Sequence, residues 1–311
     1  MSRPGALFLF GPTAVGKTEA LETLIDRPVE VISADSMQVY RGMDIGTAKP
    51  DRSLRERLPH HLIDIRNPDE QYDVGAFVCD ANRAIEETIA RGRLPVVAGG
   101  TGFYFRHLLY GLPQAPPSDP AIRERLLRET KSLGAPQMYR RLAEVDPAAA
   151  ERIHPHDAYR VTRALEVHEQ TGRGISDFAA AGPPRTDITV SLCALHRDRD
   201  ELRQRISSRV RSMFEEGLRD EVERLVGLGY GPGDPGLRAI GYREFFGPAG
   251  RLRPAEEDER IAAQIIGSTR RYAKRQMTFF RRLPEVLYTP AAELSGLMEL
   301  VDRLCDTVRP A

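Results

Sequence analysis

Short, uninterrupted apolar runs alternate with stretches of helical periodicity over the first hundred residues. Residues 6–10 and 95–98 are apolar throughout, 29–34 is apolar apart from Glu30 and Ser33, and all three are too short for helices. The stretches after Lys17 and over 74–90 repeat their apolar positions every three or four residues. Buried strands joined by helices predict an α/β protein, with a parallel sheet and helices on both faces. Ligands of such sheets sit at the carboxyl ends of the strands. The three runs end at Gly11, Asp35 and Gly99, which places these residues along one edge.

From residue 111 to 120 the chain is rich in proline, and the pattern beyond it is purely helical over 121–133, 136–142, 147–153 and 156–171. Gly172-Arg-Gly174 and Ala181-Gly-Pro-Pro184 end that stretch. A helical insertion is therefore expected over 115–185, carried by a core made of 1–114 and 186–311. The apolar run 188–195 returns to the sheet. Residues 199–216 and 218–228 read as helices, and 256–280 reads as one long helix, polar at its start and basic at its end.

Composition narrows the class. No apolar run approaches the roughly 18 residues of a membrane span, and a strand expected from residue 6 leaves no room for a targeting segment. Cys79, Cys193 and Cys305 are too widely spaced for a disulfide framework or a zinc site, which fits a reduced, cytoplasmic setting. Forty-five basic residues balance forty-five acidic ones, so the whole chain gives no sign of a polyanionic partner. The distribution does. Residues 268–282 hold six cations, three aromatics and no carboxylate, and residues 197–211 hold six arginines against three acids. Such local surpluses are where phosphate backbones dock.

The sharpest chemical signal is Gly11-Pro-Thr-Ala-Val-Gly-Lys-Thr18, a P-loop set between a strand and a helix. Gly11 and Gly16 permit the tight turn that converges backbone N–H groups on phosphate, and Lys17 adds a charge. The Thr18 hydroxyl suits Mg2+. The dipole of the helix that follows favours the same anion. Asp35, at the tip of the second run, suits either water-mediated Mg2+ binding or proton abstraction from a nucleophile, with a helix N-cap as the plain structural alternative. In Gly99-Gly-Thr-Gly-Phe-Tyr104 the glycines would let the backbone approach a ligand, with Thr101 presenting its hydroxyl. Arg205 and Arg209 share one helix face and suit a departing pyrophosphate. Lys274-Arg-Gln-Met-Thr-Phe-Phe-Arg-Arg282 interleaves cations with aromatics, as RNA-contacting surfaces do, although Met277 and Phe280 could equally be core. His60, His61, His154 and His156 form no metal-ligand set and read as surface or capping residues.

Further motifs run in order along nearly the whole chain: Ser33-Ala-Asp-Ser-Met-Gln-Val-Tyr40, Asp44-Ile-Gly-Thr-Ala-Lys-Pro50, Pro59-His-His-Leu-Ile-Asp64, the Arg163-Ala-Leu-Glu-Val167 core of 157–172, Ala239-Ile-Gly-Tyr242 and Lys274-Arg-Gln-Met-Thr-Phe279. With the P-loop they resemble the bacterial tRNA dimethylallyltransferases, or IPP transferases. The resemblance implies transfer of a dimethylallyl group from its diphosphate to N6 of adenine 37, in tRNAs that read codons starting with U. The P-loop residues Gly11, Pro12, Thr13, Ala14, Val15, Gly16, Lys17 and Thr18 would then hold pyrophosphate rather than ATP. Asp35 would be the general base and Thr101 would align the reactants. Lys17, Thr18 with Mg2+, and an arginine of the Arg205–Arg209 pair would stabilise the leaving group.

By the same resemblance, tRNA contacts fall on Asp35, Ser36, Met37, Gln38, Thr101, Arg123, Tyr159, Arg160, Val161, Thr162, Arg163, Lys274, Arg275, Gln276, Phe279 and Arg281, and the insertion clamps the anticodon stem-loop. Tyr159 replaces the family's usual glutamine and Phe279 a common tryptophan. A cytoplasmic monomer with no membrane partner is expected. The competing functions are an adenine-nucleotide prenyltransferase, a P-loop kinase of a small metabolite and a non-catalytic RNA-binding module.

Overall fold

A computed structural model describes residues 3–178 and 182–308; Ala181, expected to help end the helical stretch, lies outside them. In chain order the elements are β1 (Gly5–Phe10), α1 (Lys17–Glu22), β2 (Val29–Ala34), α2 (Arg52–Arg57), β3 (His60–His61), α3 (Val74–Ala90), β4 (Leu94–Gly99), α4 (Gly102–Tyr110), α5 (Pro120–Leu133), α6 (Ala135–Val145), α7 (Pro147–Arg152), α8 (Ala158–Thr171), β5 (Thr189–His196), α9 (Arg199–Glu215), α10 (Leu218–Gly227), α11 (Asp258–Phe280), β6 (Leu287–Pro290) and α12 (Ser295–Val308). Single turns of 3-10 helix punctuate the loops.

Two compact units result, one of Met1–Leu109 with Arg185–Ala311 and one of Tyr110–Pro184. The first carries a parallel sheet in the order β3-β2-β4-β1-β5-β6. Alternation along β1 divides its side chains between two faces. Leu7 and Leu9 join Leu297, Val301 and Leu304 of α12. Phe8 and Phe10 pack against Phe105 of α4, and Phe10 also stacks on Phe280 of α11 at 4.5 Å between ring centroids. Both faces are covered by helices, which is why all six residues of β1, β2 and β4 can be buried. Phe10 is level with Gly99, and Ala34 with Gly99, so the next residues of β1, β2 and β4 emerge at one edge as expected.

The second unit is helical. Leu126, Met138, Leu142, Val161 and Leu165 form its core. Asp119, Asp146 and Asp157 each accept a backbone N–H at the start of α5, α7 and α8, which caps those helices. Glu166 is fully buried, yet accepts from Ser118 Oγ at 2.6 Å and the Asp119 backbone N–H at 2.7 Å, with Arg163 at 3.0 Å.

The structure corrects the sequence reading in the sheet. The strand over 94–99 is fourth in the chain, because β3 is only two residues long and carries no apolar run. Its residues, His60 and His61, are half-buried strand residues rather than surface or capping groups. His61 Nε2 lies 2.7 Å from buried Glu30, which Arg91 also pairs. Burial alone would raise the Glu30 pKa, but Arg91 and His61 pull it down to about 2. The sheet also gains β6 and the core gains α12, neither of which was expected.

Candidate active site

The P-loop turn depends on two residues in left-handed backbone, Ala14 (φ 64°) and Gly16 (φ 114°). A side chain at Gly11 would bring its Cβ within 2.9 Å of the Leu195 carbonyl. Arg205 Nε donates to the Ala14 carbonyl at 2.9 Å and Arg197 Nε to the Val15 carbonyl at 2.6 Å. Because C=O and N–H point oppositely across a trans peptide, anchoring the Val15 carbonyl turns the Gly16 N–H toward the other side of the loop. Helix α1 has only six residues, so these oriented amides matter more for an anion than its dipole does. Lys17 Nζ donates to the carbonyls of Gly11 and Pro12 at 2.9 and 3.0 Å. Burial, reinforced by the charge of Arg209, lowers its pKa to about 8.

Asp35 follows β2 and is half-buried. Its Oδ1 accepts from the Met37 and Gln38 backbone N–H groups at 2.9 and 3.4 Å, an Asx-type turn that fixes the carboxylate. Burial raises its pKa, against the opposing pull of those N–H groups and of Lys17. Thr101 Oγ1 accepts from the Ser36 N–H at 3.1 Å. Tyr272 of α11 stands beside Thr101 and Gln276, and burial pushes its hydroxyl up to about 12.

Asp35 lines two cavities. One, of about 310 Å³, is lined by Thr13, Ala14, Asp35, Met37, Arg209 and Tyr272, and by an apolar wall of Ile206, Val210, Met213, Ile240 and Ile265. The other, of about 50 Å³, is lined by Lys17, Thr18, Ser33, Asp35, Gln38 and His60. The two arginines separate here. Arg205 is committed to the Ala14 carbonyl and Glu19, whereas Arg209 lines the larger cavity, its pKa lowered by burial.

The glycines of 99–102 have a packing role besides the one expected. A Cβ on Gly99 would lie 2.2 Å from the Ala34 carbonyl, one on Gly100 2.3 Å from Gln276, and one on Gly102 2.4 Å from the Phe279 ring. They admit close packing of the protein on itself, and Gly99 also lines the small cavity. Gln276 belongs to the same packing. It is buried, donates Nε2 to the Gly100 carbonyl at 2.7 Å and accepts the Thr13 N–H at 3.0 Å. Expected on the tRNA face, it instead links the P-loop to the turn after β4. Spacing carried the signal, since Ala273, Gln276 and Phe280 form the buried stripe of α11.

On the opposite side of that helix, Lys274, Arg275 and Phe279 line a shallow groove with Arg271, Thr278 and Arg282, and Arg281 is exposed beyond it. Phe103, which the sequence reading passed over, is 52% exposed at the start of α4. Within the helical unit, Tyr159 is 66% exposed under the Arg123 guanidinium, 4.9 Å from the ring centroid, and Arg160 is exposed beside Asp157. Arg163 is turned to Glu166 and the Pro116 carbonyl. Val161 and Thr162 are buried, so they support α8 instead of presenting a surface.

The segment 44–49 walls the larger cavity and is held from beneath. Glu221 of α10 accepts the N–H groups of Asp44, Ile45 and Gly46 at 2.9, 3.0 and 3.2 Å, and the Tyr242 hydroxyl at 2.6 Å. The Tyr242 ring lies where a Cβ of Gly46 would stand. Gln38 accepts from Ser33 Oγ and donates to the Thr47 and Ala48 carbonyls. Lys49, its side chain buried, binds the Tyr40 carbonyl, Asp44 and Asp64.

Comparison with known proteins agrees with this architecture. The family model described as IPP transferase matches residues 38–283. The tRNA dimethylallyltransferase of Alkalilimnicola ehrlichii is 45% identical over 305 residues, covering 96% of this chain and 95% of its own. The tRNA dimethylallyltransferase 2 of Geotalea uraniireducens is 46% identical over 279 residues, 89% of each chain. Among solved structures, the tRNA isopentenylpyrophosphate transferase of Bacillus halodurans superposes with a TM-score of 0.67 at 34% identity, covering 99% of this chain and 97% of that one. A eukaryotic dimethylallyltransferase acting on tRNA superposes with a TM-score of 0.82 at 25% identity, covering 99% and 80%.

Proposed function

The chain belongs to the IPP transferase family, and from that premise we propose that it transfers a dimethylallyl group from dimethylallyl diphosphate to N6 of adenine 37 in tRNAs reading codons that start with U. The observation that carries this reading is the position of Asp35 at the meeting of an apolar cavity and a phosphate-binding loop. A prenyl diphosphate has those two halves. Its five-carbon chain suits the wall of Ile206, Val210, Met213, Ile240 and Ile265, and its diphosphate suits the P-loop amides, Lys17 and Arg209.

In the reaction the C1–O bond to diphosphate breaks, the leaving oxygen keeps the electron pair, and N6 bonds to C1. The N6 proton goes to Asp35, whose raised pKa makes it a stronger base than a solvated carboxylate. Lys17 and Arg209 meet the charge that develops on the leaving group. Thr101 and Tyr272 border the place of the acceptor.

Mg2+ fits the donor set. Among the described residues no cluster of three or more His, Cys, Asp or Glu could cage a metal, whereas Thr18 presents a hydroxyl oxygen to the small cavity. Few protein oxygens beside a phosphate is how Mg2+ is usually bound. When present, the ion would neutralise diphosphate charge.

Lys274, Arg275, Arg281 and Phe279 supply one surface for tRNA, and the helical unit's Arg123, Tyr159 and Arg160 supply another for the anticodon stem-loop. The target base is in a loop and can be extruded more cheaply than from a duplex. The proposal is of a monomeric enzyme acting in the cytoplasm, where its tRNA substrate is. No helix among the described residues is long and apolar enough to cross a membrane.

The test incubates the protein and Mg2+ with labelled dimethylallyl diphosphate and one of three acceptors. These are an anticodon stem-loop with adenine 37, the same loop with guanine there, and AMP. Label on the adenine loop alone is expected. Label on AMP would make the chain a nucleotide prenyltransferase, and ATP consumption without label would make it a kinase.

A further inference from the structure

The small cavity contains one polar atom that the reaction as described leaves unused. His60 lines it together with Lys17, Thr18, Ser33, Asp35 and Gln38. The Nε2 atom of His60 is buried and has no hydrogen-bond partner. Its other ring nitrogen, Nδ1, lies 2.6 Å from the Leu58 carbonyl oxygen. A carbonyl can only accept, so Nδ1 carries the proton and Nε2 of the neutral ring is a bare lone pair. Neutral is the working form: burial lowers the pKa of His60 against the opposing pull of the Leu58 carbonyl, and the charge of nearby Arg55 adds to the lowering.

A buried acceptor without a partner is costly, and most are satisfied by protein or water. The chemistry of the missing partner is constrained. A phosphate oxygen cannot serve, because it too is an acceptor. Within the cavity the Ser33 hydroxyl and the Gln38 amide are already spent, Asp35 is an acceptor, Lys17 is turned to the carbonyls of Gly11 and Pro12, and neither Lys17 nor Thr18 bonds His60 Nε2. What remains is a donor small enough for a space of about 50 Å³, and a water fits, needing roughly 10–15 Å³ of such volume. Beside a threonine hydroxyl, a carboxylate and a diphosphate, the water best suited to donate strongly is one polarised by a divalent cation.

We propose that His60 is a positioning residue for the divalent cation of the prenyl donor, its Nε2 accepting a hydrogen bond from a water in the cation's coordination shell. The proposal rests on the reading above, in which Thr18 and a diphosphate hold Mg2+. Leu58 sets the tautomer by accepting from Nδ1, so the short strand β3 exists in part to present this nitrogen. It also gives His60 a role that no metal-ligand spacing could reveal, since the ring touches the ion only through water.

The first measurement leaves the chain intact. Protein labelled with 15N in its histidines is followed by imidazole nitrogen NMR on adding inorganic diphosphate, Mg2+, or both. The His60 Nε2 resonance is expected at the position of an unprotonated nitrogen, and to shift upfield only when both are present. An unmoved resonance in the presence of both overturns the proposal.

Variants then separate it from the reading beneath it. His60→Asn keeps a donor for the Leu58 carbonyl and removes the Nε2 acceptor; His60→Gln extends an acceptor toward the cavity. Mn2+ binding to the diphosphate-loaded protein, read by electron paramagnetic resonance, should weaken about tenfold or more in His60→Asn, the usual scale for an outer-shell partner. It should recover in His60→Gln and weaken in Thr18→Val. Unchanged binding in His60→Asn with loss in Thr18→Val sinks the His60 role alone. Unchanged binding in both sinks the metal reading as well. Melting curves on each variant show whether lost affinity follows the ion site or the fold.

Discussion

At the scale of single residues, the site brings a lysine and a carboxylate toward each other's range. Lys17 carries a pKa lowered to about 8 because its ammonium is buried and faces Arg209, while burial raises Asp35. The consequence for pH has a definite sign. Lys17 aids a diphosphate only when protonated, and it loses that charge as pH rises through about 8. The kcat/KM for the prenyl donor should therefore fall on the alkaline side near pH 8. In Lys17→Arg the cation stays charged well beyond that, so the alkaline fall should vanish below about pH 10, on a lower plateau because a guanidinium fork does not fit a lysine's place. A pH–rate profile of both proteins checks this; an unshifted fall in the arginine variant would assign the limb to another group. Lys17 and Asp35 were legible because their chemistry is local, one in a P-loop and one at a strand tip. Gln276 was not, because its polar side chain sits among cations and only its helical phase shows that it faces inward.

At the scale of elements, the segment 44–49 takes its order from α10 and from the loop bearing Tyr242. Glu221 satisfies three backbone N–H groups and one hydroxyl with a single buried carboxylate. Removing it leaves those donors buried, at about 1–3 kcal/mol for each that finds no other partner. Glu221→Ala should lower the melting temperature by several degrees, while Tyr242→Phe, which gives up one bond, should cost about 0.5–1.5 kcal/mol. Gly46, Thr47 and Ala48 wall the larger cavity, so Tyr242→Phe should raise KM for the prenyl donor more than for tRNA. Faster amide exchange over 44–48 would be the companion signature, and a variant with wild-type exchange and KM would remove Glu221 and Tyr242 from cavity formation. The motifs Asp44–Pro50 and Ala239–Tyr242 stood out in the sequence, but their purpose did not. It depends on Glu221, which lies 177 positions beyond Asp44, and nothing local announces that contact. The same limit hid β6: a four-residue strand with one buried position lacks the apolar run that marks a sheet interior. Helix α12 is different, because Leu297, Val301, Leu304, Cys305 and Val308 recur at helical spacing and its pattern was legible without being read.

At the scale of the whole molecule, the two-part organisation follows from where the chain leaves the sheet unit and where it returns. The helical unit spans Tyr110–Pro184, and proline-rich breaks and a loss of strand pattern mark both of its ends in the sequence. The order of the strands was hidden, since it is set by pairings between distant runs of nearly interchangeable valine, leucine and alanine. The return point has a clasp. The Arg185 N–H donates to the Leu109 carbonyl at 2.8 Å, and its guanidinium binds Asn82 at 2.9 Å and pairs with Asp187 at 2.5 Å. All these partners belong to the sheet unit, so the two ends of the insertion are held together without any help from it. Replacing residues 111–183 by a short glycine linker should therefore leave a folded protein, since Leu109 and Arg185 are already bonded neighbours and the added loop-closure cost grows only slowly with length. That protein should keep its diphosphate affinity within a few-fold and lose most of its affinity for an anticodon stem-loop, as measured by calorimetry and filter binding. Full retention of stem-loop binding would assign tRNA recognition to the basic face of α11 alone, and loss of folding would show that the helical unit is needed to complete the sheet unit.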